Sequence, residues 1–530
     1  MPEKFKSLSP AEFFYRNREI AGFANPVRAL YQTVRELVEN ALDATDCFGI
    51  LPTIHVEIAR DSEEAPHYRV TVADNGIGIP PEYVPQAFGR VLYGSKYVLK
   101  QSRGMFGLGV KMAILYGQIT TGKPVIVETV PRRSKYKYSF KILIDIEKNQ
   151  PIVLERKIKK LKKRRHGTLV SVVVEGDWGR AKSRIIEYIK RTAIVAPYAN
   201  IYFKDPEGNV YQYPRVIRKL PPPPKETKPH PHGVDIEMLK ALISSVEAET
   251  LLEFLTKAFQ SVGEKAALEF LKFAELDPNV KPTDLSIEDL KYLTRKLKEF
   301  DGFRNPRGAS LSPLGEEIIE AGLKQILKPE FVVAVTRKPS AYSGHPFIVE
   351  VGIAYGGQIP PAETPHLYRF ANKIPLLYDE KADVAWKVVT EGIGWKNYGI
   401  SFPAPVAVLT HICSTKVPYK GVGKESVADV PEIERELRNA LREAARRLKT
   451  YISKKTREIE AKKKIVALVK YIPEVSDSLA VISKPPTGEG DGLSSEQIAK
   501  LLYQILEIKL EKLGLKGKVD LSKIKVQIGM

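Results

Sequence analysis

The stretch RELVENALDA, residues 35–44, decides how the rest of the chain is read. Taken as a helix from Val27, it places Leu30, Val34, Leu37, Ala41 and Ala44 at i, i+4, i+7, i+11 and i+14, one apolar stripe facing a core. Glu36, Asn40 and Asp43 recur at i, i+4 and i+7 on a neighbouring face, roughly 120° round at ~100° per residue. Asn and Asp are poor interior helix formers, so propensity does not explain that seam. An ordinary solvated polar face explains it as well as a binding site does, and the helix alone leaves both open.

Downstream residues favour a site. Tyr68, Val70 and Val72 alternate like a half-buried strand, and Asp74 carries the same face into DNGIGIP, a turn built on Gly76 and Gly78. A carboxylate on an inward strand face needs a donor, and an adenine amino group would serve. RGMFGLGVKMA follows, with Gly104, Gly107 and Gly109 opening a helix whose backbone N–H groups can approach phosphates. HGT at 166–168 then precedes the strand LVSVVV. The rival phosphate cradle GQITTGK (117–123) fails, because Pro124 stands where a P-loop needs Ser or Thr.

At 530 residues the chain should hold several domains. Its 43% hydrophobic and 28% charged residues describe a soluble globular protein. No apolar run approaches a membrane span and the first residues lack a signal-peptide core, so a cytoplasmic address is expected. Cys47 and Cys413 are the only cysteines, which rules out a disulfide framework or a cysteine zinc site. Scarce Cys and Met beside abundant Lys and Glu lean towards a thermophile. The net charge of +20 points to a polyanion such as nucleic acid.

Residues 1–225 read as one α/β unit, with an N-terminal arm and a glycine-punctuated lid from Pro80 to Lys111. KIKKLKKRRHG (157–167) reads as an exposed basic loop, available to DNA. PPPP (221–224) is a stiff spacer. Four short helices follow within 230–305, the second and third meeting at FQSVGEKAA. From 306 to 472 a second α/β unit begins with a helix (313–327), has strands at 331–335, 347–357, 382–390 and 405–413, and ends in a long helix reaching Lys464. Residues 473–530 are a linker and a small C-terminal segment.

The order E-x-x-x-N, D-x-G-x-G, G-x-x-G-x-G and a later G-T resembles the GHKL ATPases, which include gyrase-type topoisomerases, the heat-shock chaperone ATPase, histidine kinases and MutL repair proteins. The four helices resemble a helix-two-turns-helix module, in which the turn presents N–H groups to phosphate. Taken with a transducer-like α/β unit bearing a GK loop and a long exit helix, residues 1 to about 470 resemble the B subunits of the type IIB DNA topoisomerases. SPAEFFYRNREIAGFANPVRALYQTVRELVENALDA is especially close.

The resemblance implies a multidomain α/β fold: a Bergerat-type GHKL sandwich, a helical insert, and a transducer domain. It implies an ATP-hydrolysing subunit that dimerises through its N-terminal arm on binding ATP and captures a DNA duplex. Strand passage then occurs through a break made by a separate A subunit in an A2B2 heterotetramer, relaxing supercoils and decatenating DNA at the nucleoid. A MutL-like repair ATPase is the alternative; it would share the front half but not need the helical insert.

Residue by residue, the resemblance makes Glu36 the general base, Asn40 the Mg²⁺ ligand and Asp74 the adenine reader. Ser95, Lys96 and the run Gly104, Met105, Phe106, Gly107, Leu108, Gly109, Val110, Lys111 would wrap the phosphates, and Thr168 would join the Asp74 network. Lys424 would be the switch lysine at the γ-phosphate. Lys420 competes, but it follows the bulky Tyr419, whereas the glycines of GVGK allow an extended reach. Gly263 and Lys265 of the helical module, and Trp395, Lys396 and Tyr398 of WKNY, would touch DNA. Core packing of Trp395 is the ordinary alternative.

Overall fold

The computed structural model describes residues 7–94, 99–104, 108–163, 165–421, 424–483 and 492–512. It divides into two compact units, Met1–Trp395 with Ile400–Ala445, and Lys396–Gly399 with Arg446–Met530.

The first unit opens with α1 (Pro10–Arg16) and α2 (Pro26–Asp46). Asn25 caps α2 by accepting the Arg28 N–H at 2.9 Å, and Pro26 fits the first turn, so the helix starts one residue before the apolar stripe implied. β1 (Thr53–Arg60), β2 (His67–Ala73), α3 (Val84–Gly89), α4 (Gly109–Thr121), β3 (Val125–Val130), β4 (Tyr136–Asp145), β5 (Gln150–Lys160), β6 (Gly167–Glu175), α5 (Trp178–Val195), β7 (Asn200–Lys204) and β8 (Val210–Tyr213) follow. The strands make one eight-stranded sheet in the order β5-β4-β3-β6-β2-β1-β7-β8, with only β1 and β7 parallel. α2 lies against β2 and β6 with α4 and α5 beside it, which sets its polar seam over the C-terminal end of β2.

Four helices come next: α6 (Ile236–Ser245), α7 (Leu251–Ala258), α8 (Glu264–Phe273) and α9 (Ile287–Glu299). Leu239, Phe254, Phe270 and Leu293 meet in their own core. Asp235, Thr250 and Ser286 cap three of them with side-chain oxygens; Gly263, which caps α8, offers none.

α10 (Glu316–Leu327), β9 (Phe331–Thr336), β10 (Ser340–Tyr342), β11 (His345–Tyr355), β12 (His366–Ala371), β13 (Ile374–Pro375), α11 (Val384–Thr390) and β14 (Val406–Ser414) form the second α/β layer. Its sheet runs β10-β11-β14-β12-β13, and β9 also pairs with β11. α10 packs on α5 so closely at Gly322 that a Cβ there would sit 1.8 Å from the Ile194 carbonyl oxygen. One core is therefore continuous from Val34 and Val72 to Leu323, Ala354 and Leu409.

β10, β12 and β13 have no counterpart in the sequence reading, and three further elements differ from it. Residues 382–390, read as a strand from their β-branched content, form α11. Asp383 accepts the Ala385 N–H at 2.8 Å, and the buried residues Val384, Ala385, Val388 and Val389 have helical spacing. Lys157–Lys160, read as loop, extend β5 and pair with Tyr136–Ser139. The long helix α12 (Pro431–Ile482) runs 52 residues, past Pro473, well beyond Lys464.

The second unit is helical. The later part of α12 and α13 (Ser495–Lys512) bury Ile465, Val469 and Ile472 against Leu506 and Leu510. Among the described residues, no helix is long and apolar enough to cross a membrane.

Candidate active site

The seam on α2 faces a cavity of about 720 Å³, lined by Glu36 and Asn40, by Asp74 and Gly78 after β2, by Gly104, Leu108, Gly109, Val110 and Lys111 around the start of α4, by Thr168 on β6 and by Lys424. Gly109 is required by close approach: a Cβ there would lie 1.6 Å from Glu36 Oε2, so any side chain would evict the carboxylate. Glu36 consequently rests against the first turn of α4, where N–H groups carry partial positive charge.

Asp74 Oδ1 accepts the N–H of Gly76 at 2.7 Å and of Thr168 at 3.2 Å. The Asp74 N–H in turn donates to the Thr168 carbonyl at 2.9 Å, continuing the β2–β6 ladder. Burial pushes the Asp74 carboxyl up to about 6, although those two backbone donors pull the other way. Both donors fall on Oδ1, so Oδ2 is the oxygen available to an amino group. Gly76 lies beside Asp74 but off the cavity wall, and Thr168 engages Asp74 through its main chain. The Lys111 ammonium donates to the Tyr93 carbonyl.

Asp43, the third member of the seam, is occupied. Arg103 donates to Asp43 at 2.8 Å and to Asp46 at 2.7 and 3.1 Å, all deeply buried. Despite the cost of burial, the Arg103 guanidinium holds the Asp46 carboxyl well below the usual carboxylate range. Arg103 and Asp46 were not singled out from the sequence. The signal existed: Asp43 and Asp46 end α2, where the helix dipole disfavours negative charge, so a buried cation is needed there.

Lys424 is 7% exposed, and its ammonium donates to the Arg103 carbonyl at 2.9 Å across 321 residues of sequence. Its neighbour Glu425 pairs with Arg28 at 3.2 Å, tying the loop to the start of α2. Lys420 instead donates to the Ala382 carbonyl and lies 3.2 Å from Asp429. Ser95, Lys96, Met105, Phe106 and Gly107 lie outside the described residues.

Of the expected DNA contacts, Gly263 and Lys265 are exposed at the start of α8, and Lys396 is exposed in the second unit with Tyr398 half-buried. Trp395 corrects the reading of WKNY as an exposed cluster. It is only 6% exposed, its indole N–H donates to the Val389 carbonyl at 2.9 Å, and its ring meets Phe402 edge-on. A ring packed this way cannot stack on a base.

The model of the histidine kinase-, DNA gyrase B- and HSP90-like ATPases matches residues 25–146, the layer that holds Glu36, Asn40 and Asp74. The transducer model of the topoisomerase VI B subunit matches residues 306–464, the layer that delivers Lys424. The B subunit of type 2 DNA topoisomerase 6 from Metallosphaera sedula is 56% identical over 97% of both chains. The chain belongs to the family of type 2 DNA topoisomerase 6 B subunits. Its counterpart in Saccharolobus shibatae is 54% identical, again over 97% of both chains. Identity across the helical insert and the transducer gives the MutL alternative no support. The relatives are archaeal.

Proposed function

We propose that this chain is the ATP-driven gate of a type IIB DNA topoisomerase, working with a separate DNA-cleaving A subunit in an A2B2 assembly. The observation that carries the reading is Lys424, brought from the second α/β layer into the cavity that holds Glu36 and Asp74. Residues 1–225 bind nucleotide, 230–305 contact DNA, 306–472 transmit the nucleotide state, and 473–530 form a terminal segment.

Asp74 Oδ2 accepts the adenine amino group. The N–H groups of Gly104 and Gly109, which line the cavity at the opening of α4, face the phosphates. The space between Glu36 and Gly109 is a cradle that a Cβ would fill, and Asn40, one helical turn after Glu36 and lining the same cavity, carries an amide oxygen of the kind that suits a hard divalent cation. Mg²⁺ held by Asn40 and phosphate oxygens would neutralise phosphate charge. Glu36 takes the proton of the attacking water. Lys424 leaves the Arg103 carbonyl for the γ-phosphate and counters the charge that develops there. Because Lys424 belongs to the other layer, ATP favours a closed arrangement by differential contacts alone. Closure through the N-terminal arms traps the duplex. Addition of duplex DNA should raise ATP turnover by the full chain with its A subunit; turnover indifferent to DNA would exclude the gate.

Asp74 gives a pH signature. Its folded-state value of about 6 exceeds that of an unfolded aspartate. In the ligand-free protein, stability therefore falls as pH rises from about 4 to 6, where the native state holds the extra proton. Nucleotide affinity should do the reverse. A proton on Oδ2 displaces the adenine amino group, so affinity should drop about tenfold per unit below pH 6. Titration of wild type beside Asp74→Asn tests this, with a weaker but flat profile expected for the variant. Parallel profiles would place adenine elsewhere.

Duplex affinity should fall by about 0.9 log units per log unit of salt for each phosphate neutralised by Lys265, Lys396 or the basic strand-and-loop 157–166. A flat salt response would remove DNA capture from the account.

A further inference from the structure

Residues 99–104 run between the two α/β layers and are tied to both. On one side the Arg103 guanidinium is clamped by Asp43 and Asp46 at the end of α2, and Tyr198 donates to the same Asp46 carboxylate at 2.9 Å. On the other side, the Gln101 amide closes a two-bond pair with the Ser312 main chain, accepting its N–H at 2.7 Å and donating to its carbonyl at 3.2 Å. Asn372, in the turn between β12 and β13, donates to the Ser102 carbonyl at 3.3 Å and to the Ser414 carbonyl at 2.9 Å. The N–H of Thr227, in the linker before the helical insert, donates to the Leu99 carbonyl at 3.1 Å.

These second-layer anchors lead into a buried hydrogen-bonded ring. Lys373, next to Asn372, donates its ammonium to Ser312 Oγ at 2.7 Å and its backbone N–H to His411 Nε2 at 2.9 Å. Since Nε2 accepts, Nδ1 carries the proton and donates to Glu350 at 2.7 Å. Glu350 accepts the N–H groups of Leu314 and Gly315, which returns the ring to Ser312. The cluster Glu350, His411 and Cys413 has the residue types of a metal site, but its Glu350 and His411 ligand atoms are spent on these bonds. Its chemistry is that of a rigid joint.

We infer that residues 99–104 are a strap that couples the nucleotide cavity to the second layer, with Arg103 and Asn372 as positioning residues for Lys424. The inference rests on reading the cavity as an ATPase site. The geometry supplies the link: the Arg103 side chain fixes where its own carbonyl stands, and that carbonyl is the resting acceptor of the Lys424 ammonium. When Lys424 moves to the γ-phosphate it releases the strap from one of its second-layer contacts. Gln101 and Asn372 carry the change to the ring around Ser312 and Glu350. Two layers held by a common segment can then exchange discrete arrangements, which a loose loop would not transmit.

The test uses the full chain and three variants. Arg103→Lys keeps the charge between the two aspartates but loses the forked geometry, so the carbonyl shifts. Asn372→Gly removes the amide links, while glycine tolerates the positive φ of 46° at that turn. It leaves the Arg103 ion pairs intact, so it reads the strap even should Arg103→Lys fail to fold. Glu36→Ala is the control. ADP has no γ-phosphate, so ADP affinity should stay at the wild-type value in Arg103→Lys and Asn372→Gly. kcat for ATP should fall between about 10- and 100-fold, the range for a small misplacement of a catalytic group. A merely structural role would lower the melting temperature and leave kcat alone, and that result overturns the strap. Should Glu36→Ala lose turnover while both strap variants keep it, the strap alone is wrong. Should Glu36→Ala hydrolyse ATP at the wild-type rate, the ATPase reading falls and the strap with it.

Discussion

Glu36→Ala will bind ATP and close, but its turnover will fall by about 10²–10⁴-fold, the usual loss on removing a general base. That range corresponds to roughly 3–5 kcal/mol of barrier. The reason is positional. Glu36 reaches the cavity from the middle of α2, a helix packed against β2, β6, α4 and α5, and rests against Gly109 at the opening of α4. Truncation should remove the proposed proton acceptor while leaving Asp74, the glycine backbone and Asn40 in place, so affinity should be retained. Equilibrium nucleotide binding and single-turnover hydrolysis measured together make the check. Loss of binding with normal turnover per bound nucleotide would show that Glu36 is a ligand-positioning group and that the base lies elsewhere. Asn40→Ala should fail in the opposite way, with weakened Mg²⁺-ATP binding.

Lys424→Ala should have the second large effect. A cation supplied to a transferring phosphoryl group is worth ~10³–10⁵-fold when it is a preorganised arginine. Lysine on a flexible stem gives less, so a loss of about 10³-fold or below is expected. Adenine binding through Asp74 should survive. Lys420→Ala should leave turnover near wild type, because its ammonium is engaged with Ala382 and Asp429, whereas Lys424 lines the cavity. Turnover and ADP affinity of the two variants, side by side, decide it. A large defect in Lys420→Ala with none in Lys424→Ala would reassign the switch residue. No defect in either would detach the second layer from the chemistry.

The parts legible in the sequence were those where several local patterns, each ambiguous alone, agreed on one arrangement. The stripe from Leu30 to Ala41 and the out-of-place Glu36 and Asn40 marked both the core face and the cavity face of α2, and the structure puts Asp74, Thr168 and Lys424 around the same space. The four short helices were legible, with Val262-Gly263 breaking the run between the second and third, and the structure shows Asp235, Thr250 and Ser286 capping three of them. What was not legible depended on contacts distant in sequence or on competing local signals. Val384–Thr390 is rich in β-branched residues, yet the Asp383 cap and the burial of Val384 and Val388 win. Trp395 looked like a surface aromatic because Lys396 and Asn397 follow it, but its indole N–H has a buried carbonyl to reach. The strap could not be read at all. Gln101, Ser312 and Asn372 are ordinary polar residues until the fold brings them within hydrogen-bonding distance.

The most direct test of the central claim is relaxation of supercoiled plasmid by this chain reconstituted with its A subunit, wild type against Glu36→Ala. Processive relaxation by the wild type should require hydrolysable ATP, and Glu36→Ala should show no processive relaxation despite retained nucleotide binding. Processive relaxation by Glu36→Ala at the wild-type rate, or by the wild type without any nucleotide, would contradict it.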